Sequence, residues 1–259
     1  MESMNNLLSK FPAHDAIFTR DFTVRYSEVN KFGKLKLHSL FDYLQQIAAE
    51  HANYLGFGMH DLYHKGMIWV LSKMSIKITG FFSPEQQITA CTYPSGVERI
   101  FFRREFEISD KNTNEVLAQV SSLWLLLDAE KLRPLRRDVL QDVRLENPDL
   151  PVFIQKFPSP AADFSDMQEV FTSQVKFSQM DINQHLNNAQ YANWIEDAIY
   201  EKLQKDFTFQ EINIAFLQAQ KYPDRITAAM ELKDSGEFFI SGENKEKNCT
   251  AFTASGMIS

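Results

Sequence analysis

Two stretches of the chain resemble each other at a fixed offset. Residues 175–195 read VKFSQMDINQHLNNAQYANWI and residues 24–44 read VRYSEVNKFGKLKLHSLFDYL, so the two begin 151 positions apart. Beyond the shared opening, the matches at that offset pair Leu35 with Leu186, Leu40 with Tyr191, Tyr43 with Trp194 and Leu44 with Ile195. Self-similarity at a fixed offset predicts a fold built from two copies of one unit.

Each copy is predicted to hold one long helix and a set of strands. In KLKLHSLFDYLQQIAAEHANYLG apolar residues recur at three- and four-residue steps, which favours a helix with one buried face, and Gly56 is well placed to end it. The second helix has a stripe of its own, formed by Tyr191, Trp194, Ile195, Ala198, Ile199 and Leu203. Strand-like runs follow each helix, separated by turn signals such as FFSPE and DKNTNE. This order predicts an α+β fold with antiparallel sheets.

A proline-rich segment separates the two copies. Residues 129–165 contain EKLRPLRRD, ENPDLPVF and FPSPAADF, with five of the nine prolines of the chain. Such a composition predicts a linker draped over the surface rather than a third domain. The predicted organisation is therefore a first domain over 1–128, a linker over 129–165 and a second domain over 166–259.

Composition and charge exclude several classes of function. The 259 residues are 44% hydrophobic and 24% charged, which is typical of a soluble globular protein. A net charge of −7 argues against general binding to nucleic acid or to an anionic membrane. No apolar run approaches the ~20 residues that cross a bilayer, and the start of the chain lacks a signal-peptide core. Cys91 and Cys249 show neither metal-ligand spacing nor a disulfide pattern, so we expect a cytoplasmic protein without metal or cofactor.

The two copies differ where chemistry could reside. The second copy carries Asp181, Asn183 and His185, and the matching residues of the first copy are Asn30, Phe32 and Lys34. If the segment is extended, its alternate residues project from one face, just before a helix that Asn187 or Asn188 would cap. A carboxylate, an amide and an imidazole beside the free amides of a helix start suit the hydrolysis of an activated acyl group.

Plainer interpretations of these residues remain open at this point. Asp, Asn and His before a helix commonly do no more than form a turn and a cap. A metal site is less favoured, because D-x-N-x-H lacks the spacing of a known ligand set. His60 and His64 lie four residues apart and could pair on a helix, but two solvated histidines are the favoured interpretation.

The stretch DINQHLNNAQYANWIED resembles the D-x-N-x-H-x-N-N-x-x-Y-x-x-W signature of the acyl-ACP thioesterases, plant-type and bacterial. FTVRYSEV, LQQIAAEHANYLGFG, WVLSKMSIKI, TYPSGVERIFFRREFEI and SSLWLLLD resemble segments of that family in the same order, so the resemblance runs from about Phe18 to the C-terminus. It implies an α+β fold of two tandem hotdog folds, each a long helix wrapped by an antiparallel sheet. D-x-N-x-H-x-N-N alone also occurs in single-hotdog acyl-CoA thioesterases, but the doubled length favours the acyl-ACP group.

The resemblance also implies roles for individual residues. Asp181, Asn183 and His185 match the active-site residues of the family, whereas its downstream glutamate falls on Ala219 or Gln220, depending on the alignment. Neither position supplies a carboxylate. Neither supplies the thiol that a Cys–His mechanism would need, so that mechanism is not available. We predict direct attack by water, with His185 as general base, Asp181 holding the imidazole and Gln220 positioning the water. Asn183 and the amides of the helix start would bind the carbonyl oxygen.

Substrate and partner contacts follow from the same resemblance. It places the acyl chain in the first hotdog, where the predicted lining is Leu44, Ile47, His51, Trp69, Met74 and Ile76. From position alone, ordinary core is the favoured interpretation of each of these residues. An acidic carrier protein needs localised cations on a protein of charge −7. The predicted docking cluster is Lys131, Arg133, Arg136 and Arg137, with Arg99, Arg103 and Arg104 as a second cluster, and a solvated charge run is the alternative.

The predicted function is therefore that of a thioesterase that hydrolyses fatty acyl-ACP to free fatty acid and acyl carrier protein in fatty acid biosynthesis. An acyl-CoA thioesterase and a non-hydrolytic acyl-binding protein are the alternatives. The sequence leaves open the acyl chain length and the oligomeric state, a homodimer included.

Overall fold

The computed structural model describes residues 16–140, 143, 145–158 and 167–259 of the protein, which divides into two compact units. The first unit holds the described residues up to Leu35 together with Asp42–Gln155. The second unit holds Lys36–Phe41 and the described residues from Lys156 onward. Compared with the predicted boundaries, much of the expected linker belongs to the first unit, and one turn of the first helix belongs to the second.

The first unit is built on an antiparallel sheet. Its described elements, with the straddling first helix, are β1 (Phe18–Thr23), α1 (Leu37–Tyr54), α2 (Met59–Tyr63), β2 (Met67–Ile78), β3 (Gln87–Glu98), β4 (Phe101–Asp110) and β5 (Val116–Asp128). The strands lie in the order β1-β3-β4-β5-β2, each antiparallel to its neighbour. β1 is short, because the chain leaves the sheet after Thr23 and forms a 3₁₀ turn at Tyr26–Glu28.

The second unit repeats this plan. Its described elements are β6 (Gln168–Gln174), α3 (Asn188–Leu203), β7 (Phe209–Phe216), β8 (Arg225–Leu232), β9 (Glu237–Asn244) and β10 (Cys249–Ile258). The strands lie in the order β7-β10-β9-β8-β6, again antiparallel throughout. Helices α1 and α3 begin 151 positions apart, so the predicted repeat and the predicted α+β class are confirmed. No helix among the described residues is both long and apolar enough to cross a membrane.

Helix α1 forms because its apolar residues fall on one face and its end is specified by a glycine. The buried face consists of Leu37, Leu40, Phe41, Leu44, Ile47, Ala48 and His51. Gly56 adopts a φ of +76°, and its N–H donates to the carbonyl of Asn53 while that of Phe57 donates to Ala52. This pair of bonds is a Schellman ending, which needs a left-handed residue that glycine adopts without a steric cost. The predicted helix end at Gly56 is confirmed.

The segment that follows β5 packs onto the first sheet. Leu140, Leu145 and Leu150 are buried, and the Asn147 side-chain amide donates to the carbonyl of Pro94 at 2.7 Å. Further along, the N–H of Phe153 donates to the carboxylate of Glu105 on β4. Buried leucines and specific hydrogen bonds hold the described part of this segment, which ends at residue 158, against the sheet.

The second predicted cation cluster does not exist on the surface. Arg103 and Arg104 are neighbours on β4, and adjacent strand residues point to opposite faces of a sheet. The Arg103 guanidinium donates to Glu105 at 2.9 Å and to the carbonyl of Ile154, whereas Arg104 is only 7% exposed inside the first unit. Arg99 alone is exposed, so the interpretation of these arginines as a docking cluster is wrong.

Candidate active site

The predicted catalytic residues lie on a tight loop that precedes α3. The N–H of Asp181 donates to the carbonyl of His185 at 2.7 Å, and Met180 and Leu186 form an isolated antiparallel bridge. Gln184, inside the loop, adopts a φ of +61°. The chain therefore turns back on itself, and the expected extended segment is wrong. The three side chains are grouped by a turn and not by the alternation of a strand.

The Asp181 carboxylate holds this loop together. Its Oδ1 accepts from the backbone N–H of Asn183 at 2.8 Å and from that of His185 at 3.3 Å. Short polar side chains commonly close turns in this way by bonding amides two to four residues ahead. In this structure Asp181 contacts the backbone of His185 rather than its ring, which differs from the predicted contact with the imidazole.

The first copy contains the same loop without the predicted catalytic side chains. The side-chain oxygen of Asn30 accepts from the N–H groups of Phe32 at 3.0 Å and Lys34 at 3.2 Å. The N–H of Asn30 in turn donates to the carbonyl of Lys34 at 2.8 Å. The loop therefore needs only an oxygen at its first position, and what distinguishes the second copy is the set of groups that the loop carries.

The His185 imidazole is available for chemistry. His185 is half-buried, Asn183 is exposed, and the ring of His185 has no hydrogen-bond partner among the described residues. An imidazole with both nitrogens uncommitted can take a proton from a bound water and give it to a leaving group near neutral pH.

Helix α3 starts directly behind this loop. Asn187 is its N-cap, and the side-chain oxygen accepts from the N–H of Ala189 at 2.8 Å, so one of the two predicted caps is confirmed. The N–H of Leu186 donates to the carbonyl of Gln220 at 2.7 Å, and the N–H of Asn187 donates to that of Gln179 at 3.0 Å. These bonds fix where the first turn of the helix lies relative to the loop.

One amide at this helix start is left for a ligand. Over residues 186–190 of the described chain, the Asn188 N–H is the one without a hydrogen-bond acceptor. It lies at the positive end of the α3 dipole, three residues after His185. A free amide there can stabilise a carbonyl oxygen that gains negative charge.

Gln220 belongs to the core and does not face the solvent. It is fully buried, its Nε2 donates to the carbonyl of Gln218 at 2.8 Å, and its Oε1 accepts from Asn244 at 2.8 Å. The predicted role of holding the attacking water is therefore not supported by its contacts. Its backbone carbonyl instead accepts from Leu186, which places Gln220 behind the catalytic loop.

Among the described residues, neither Ala219 nor Asp224 takes the place of the downstream glutamate that the resemblance implies. Ala219 is exposed, and Asp224 holds the N–H of Lys221 at 2.9 Å and the ammonium of Lys247 at 2.6 Å. Burial raises the pKa of the Cys91 thiol to about 12, so this thiol stays protonated near neutral pH. The predicted catalytic groups therefore stay those of the loop and the helix start.

The predicted acyl-chain residues are grouped in the first unit. Leu44, Ile47, His51, Met74 and Ile76 are buried there, whereas Trp69 is half-buried. The indole N–H of Trp69 donates to the carbonyl of Phe57 at 3.1 Å, and its ring meets Phe102 edge-on. That these residues contact an acyl chain stays a prediction.

The predicted docking cluster is mostly accessible. Lys131, Arg133 and Arg136 are exposed, and Arg137 forms an ion pair with Glu146 at 3.0 Å. Between them the chain exposes apolar Leu132.

His60 lies in α2 and His64 directly follows its end. The His60 and His64 rings meet edge-on with centroids 4.6 Å apart, and both residues are exposed. Among the described residues, no group of three or more His, Cys, Asp or Glu side chains could hold a metal ion.

The sequence analysis missed a contact between a residue predicted to line the acyl site and a residue predicted to lie on the surface. His51, expected beside the acyl chain, and Arg104, expected on the surface, face each other with Nδ1 and Nη1 3.0 Å apart. The sequence FRREF, residues 102–106, indicated that one of the two arginines is buried, because two adjacent residues of a strand cannot both point outward.

Comparison with known proteins places the chain among thioesterases. A family model described as the acyl-ACP thioesterase N-terminal domain matches residues 15–146, and the C-terminal domain model matches residues 164–253. A chloroplastic acyl-[acyl-carrier-protein] hydrolase from Cuphea viscosissima is 26% identical over 194 residues, which cover 69% of this chain and 46% of that protein. A palmitoyl-acyl carrier protein thioesterase from Arabidopsis thaliana is 25% identical with the same coverage. The chain spans about half the length of these curated relatives.

Solved structures agree on the fold. An acyl-ACP thioesterase from Bacteroides thetaiotaomicron aligns with a TM-score of 0.82 at 23% identity, covering 94% of this chain and 98% of its own. A 12:0-ACP thioesterase from Umbellularia californica aligns with a TM-score of 0.79 at 16% identity, covering 94% and 97%. These likenesses confirm the predicted tandem hotdog fold. Because one family model alone matches more than half of the sequence, the chain belongs to the acyl-ACP thioesterase family.

Proposed function

We propose that this protein hydrolyses fatty acyl thioesters of acyl carrier protein to free fatty acid and the carrier thiol, a chain-terminating step in fatty acid biosynthesis. The observation that carries the proposal is the difference between two loops of the same architecture. The first copy presents Phe32 and Lys34, whereas the second presents Asn183 and His185 at the matching positions. Only the second set contains a group that can exchange protons near neutral pH.

In the proposed reaction, His185 takes a proton from a water as the water oxygen attacks the thioester carbonyl. A new C–O bond forms, and the carbonyl π electrons move onto the oxygen. The Asn188 N–H and the Asn183 side-chain amide are the donors that would bind this oxyanion. Each well-placed donor of this kind is worth ~3 kcal/mol in the transition state.

The tetrahedral intermediate then collapses. The oxyanion electrons restore the carbonyl, the C–S bond breaks, and the sulfur leaves with its electron pair. His185, now an imidazolium, returns the proton to the thiolate, so the products are a carboxylic acid and a free thiol. We assign the Asp181 carboxylate, which is bound to the backbone of the same loop, the role of stabilising this imidazolium in the transition state.

Gln220 supports the reaction indirectly. Its carbonyl accepts from Leu186, which immediately follows His185, and its amide is anchored in the core by Asn244. We therefore assign Gln220 as a positioning residue for the loop. This assignment replaces contact with the attacking water.

The acidic carrier would dock on cations of the first unit. Lys131, Arg133 and Arg136 are exposed, and Leu132 and Val139, which are 60% and 44% exposed, add an apolar contribution. Charged and apolar groups side by side suit a partner helix with an acidic surface. Leu44, Ile47 and Met74 remain the proposed contacts of the acyl chain.

The test is thiol release from acyl-ACP and from acyl-CoA of equal chain length. Release from acyl-ACP with a higher kcat/KM supports the proposal. A preference for acyl-CoA identifies an acyl-CoA thioesterase instead. Tight binding of both with no thiol release identifies a non-hydrolytic acyl-binding protein.

A further inference from the structure

The first unit contains a buried guanidinium that no carboxylate of the described residues contacts. Arg104 on β4 is 7% exposed, and its Nη1 lies 3.0 Å from Nδ1 of His51 and 3.1 Å from the hydroxyl of Thr92. Both partners are neutral. Buried charges are ordinarily paired, because removing an unpaired ion from water is costly.

The carboxylate next to Arg104 in sequence points the other way. Glu105 lies on the opposite face of the sheet, where it accepts from Ser95 at 2.8 Å, from Arg103 at 2.9 Å and from the N–H of Phe153 at 3.2 Å. The Glu105 carboxylate is therefore bound on that opposite face, in part to the segment around Phe153. Nothing in these contacts offsets the charge of Arg104.

His51 adds a second unsatisfied donor. A guanidinium only donates, so Nδ1 of His51 accepts from Arg104, and the proton of the neutral ring lies on Nε2. This Nε2 is buried without a hydrogen-bond partner among the described residues. Phe18 stacks on the imidazole with a centroid distance of 5.4 Å and an interplanar angle of 13°, which fixes the ring.

The unmatched donors point to one kind of ligand. Nε and Nη2 of Arg104, like Nε2 of His51, have no acceptor in the described chain. A carboxylate carries the opposite charge and has about four lone-pair positions on two oxygens, whereas a hydroxyl has no charge and fewer acceptor sites.

This pair lies on the face that carries the proposed acyl contacts. Arg104 is opposite Ser122 on β5, and Ser122 is opposite Met74 on β2, so all three point to the same side of the sheet. On α1, His51 lies one turn beyond Ile47 on the buried face. The donors therefore share their face of the sheet and their side of the helix with apolar residues.

We propose that His51 and Arg104 form a binding site for the carboxylate of an apolar-chain acid inside the first unit. The carboxylate belongs either to a free fatty acid or to the far end of a dicarboxylic acyl thioester. The location inside the acyl site rests on the proposed function, whereas binding of the acid does not depend on hydrolysis.

The test is calorimetric binding to the intact chain carrying His185→Ala, so that turnover plays no part. Octanoate and dodecanoate are compared with octanol and dodecanol. We expect each acid to bind ~10-fold or more tightly than its alcohol, as charge-assisted hydrogen bonds imply. Equal affinity of acids and alcohols would overturn the proposal, whatever the hydrolysis assays show.

Two arginine variants separate ligand binding from a structural role. Arg104→Met should remove the preference for acids while leaving the melting temperature unchanged or raised, because an unneutralised buried cation is lost. The matched control is Arg103→Met, which breaks the Glu105 contact on the other face and should lower the melting temperature but keep the preference. Retained acid preference in Arg104→Met, or a lowered melting temperature like that of Arg103→Met, would overturn the proposal.

A further experiment with thioester substrates identifies the source of the carboxylate. Acyl-ACPs that end in a carboxylate and acyl-ACPs of equal length that end in a methyl group are hydrolysed side by side by the protein with His185 intact. A lower KM for the carboxylate-ended chain assigns the site to substrate, and equal KM values with acid-selective binding assign it to free fatty acid. Both results are compatible with the site, whose existence is tested by the calorimetric comparison and the two arginine variants.

Discussion

Asp181 and Asn30 perform the same structural task with different chemistry. Each side-chain oxygen accepts from two backbone amides of its loop, so the carboxylate charge of Asp181 is not needed to form the loop. Its proposed purpose is to stabilise the imidazolium that forms on His185.

This division predicts different outcomes for two substitutions of Asp181. Asp181→Asn should leave the free energy of unfolding within ~0.5 kcal/mol of wild type and lower kcat for thiol release by ~10-fold or more. Asp181→Ala should lower both, with a stability loss of ~1 kcal/mol, because the loop amides lose their acceptor. Urea denaturation and steady-state thiol release are the measurements. A stability loss in Asp181→Asn equal to that in Asp181→Ala would refute the structural equivalence with Asn30.

His51 should make the folded protein sensitive to acid. Burial, with a smaller contribution from the Arg104 charge, lowers the pKa of His51 from 6.5 to about 3. Between these two pH values only the unfolded chain takes up this proton, so stability falls as the pH drops through that window. We expect the free energy of unfolding to fall more steeply with acid in wild type than in His51→Gln, measured by denaturation at a series of pH values. Parallel curves would show that His51 is not buried as a neutral ring.

At the scale of the element, the start of α3 carries both a cap and a proposed oxyanion donor. Asn187→Ala removes the acceptor for the Ala189 N–H and should lower the free energy of unfolding by ~1 kcal/mol. Thiol release should also slow, because the Asn188 amide loses its fixed position.

Two variants serve as controls for this prediction. Asn187→Ser supplies another capping oxygen and should restore most of the stability and rate. Asn193→Ala removes the same type of side chain from within α3 and leaves the cap intact. If Asn193→Ala slowed thiol release as much as Asn187→Ala does, the helix start would have no special part in catalysis.

The helices and most strands could be predicted because their patterns are local. The stripe of α1, the turn at Gly56 and the repeat at Leu37 and Asn188 each follow from residue type and spacing. β2, which spans Met67–Ile78, is one of the strand-like runs expected after the first helix.

The site was less predictable because its geometry depends on contacts that spacing does not encode. D-x-N-x-H has the period of a strand, but Asp181 binds the amides ahead of it and closes a turn. Asn30 at the matching position was the available sign that the segment turns. The burial of the Gln220 side chain depends on its hydrogen bond with Asn244 at the end of β9, and no local sequence pattern reveals that partner.

At the scale of the whole molecule, a net charge of −7 repels an acidic carrier, so docking requires a local cluster of cations. Reversing Lys131 and Arg133 to glutamate should raise KM for acyl-ACP by ~10-fold or more, as lost charge complementarity implies, and leave KM for a small thioester unchanged.

The matched control reverses Lys202 and Lys205, which lie near or just past the C-terminal end of α3 and change the net charge equally. These positions are ~20 Å along the helix axis from the catalytic loop. Equal increases in KM for acyl-ACP in both double variants would indicate a general charge effect and not docking at the predicted cluster.

Two copies of one unit carry the same loop, and the proposed chemistry resides in one of them. The decisive experiment is therefore thiol release from acyl-ACP by wild type, by His185→Ala and by Lys34→Ala, the matching substitution in the first copy. We expect His185→Ala to lower kcat by ~10²-fold or more, the scale of a positioned general base, with Lys34→Ala close to wild type. Unchanged turnover in folded His185→Ala, or an equal loss in Lys34→Ala, would show that hydrolysis does not depend on the loop of the second copy.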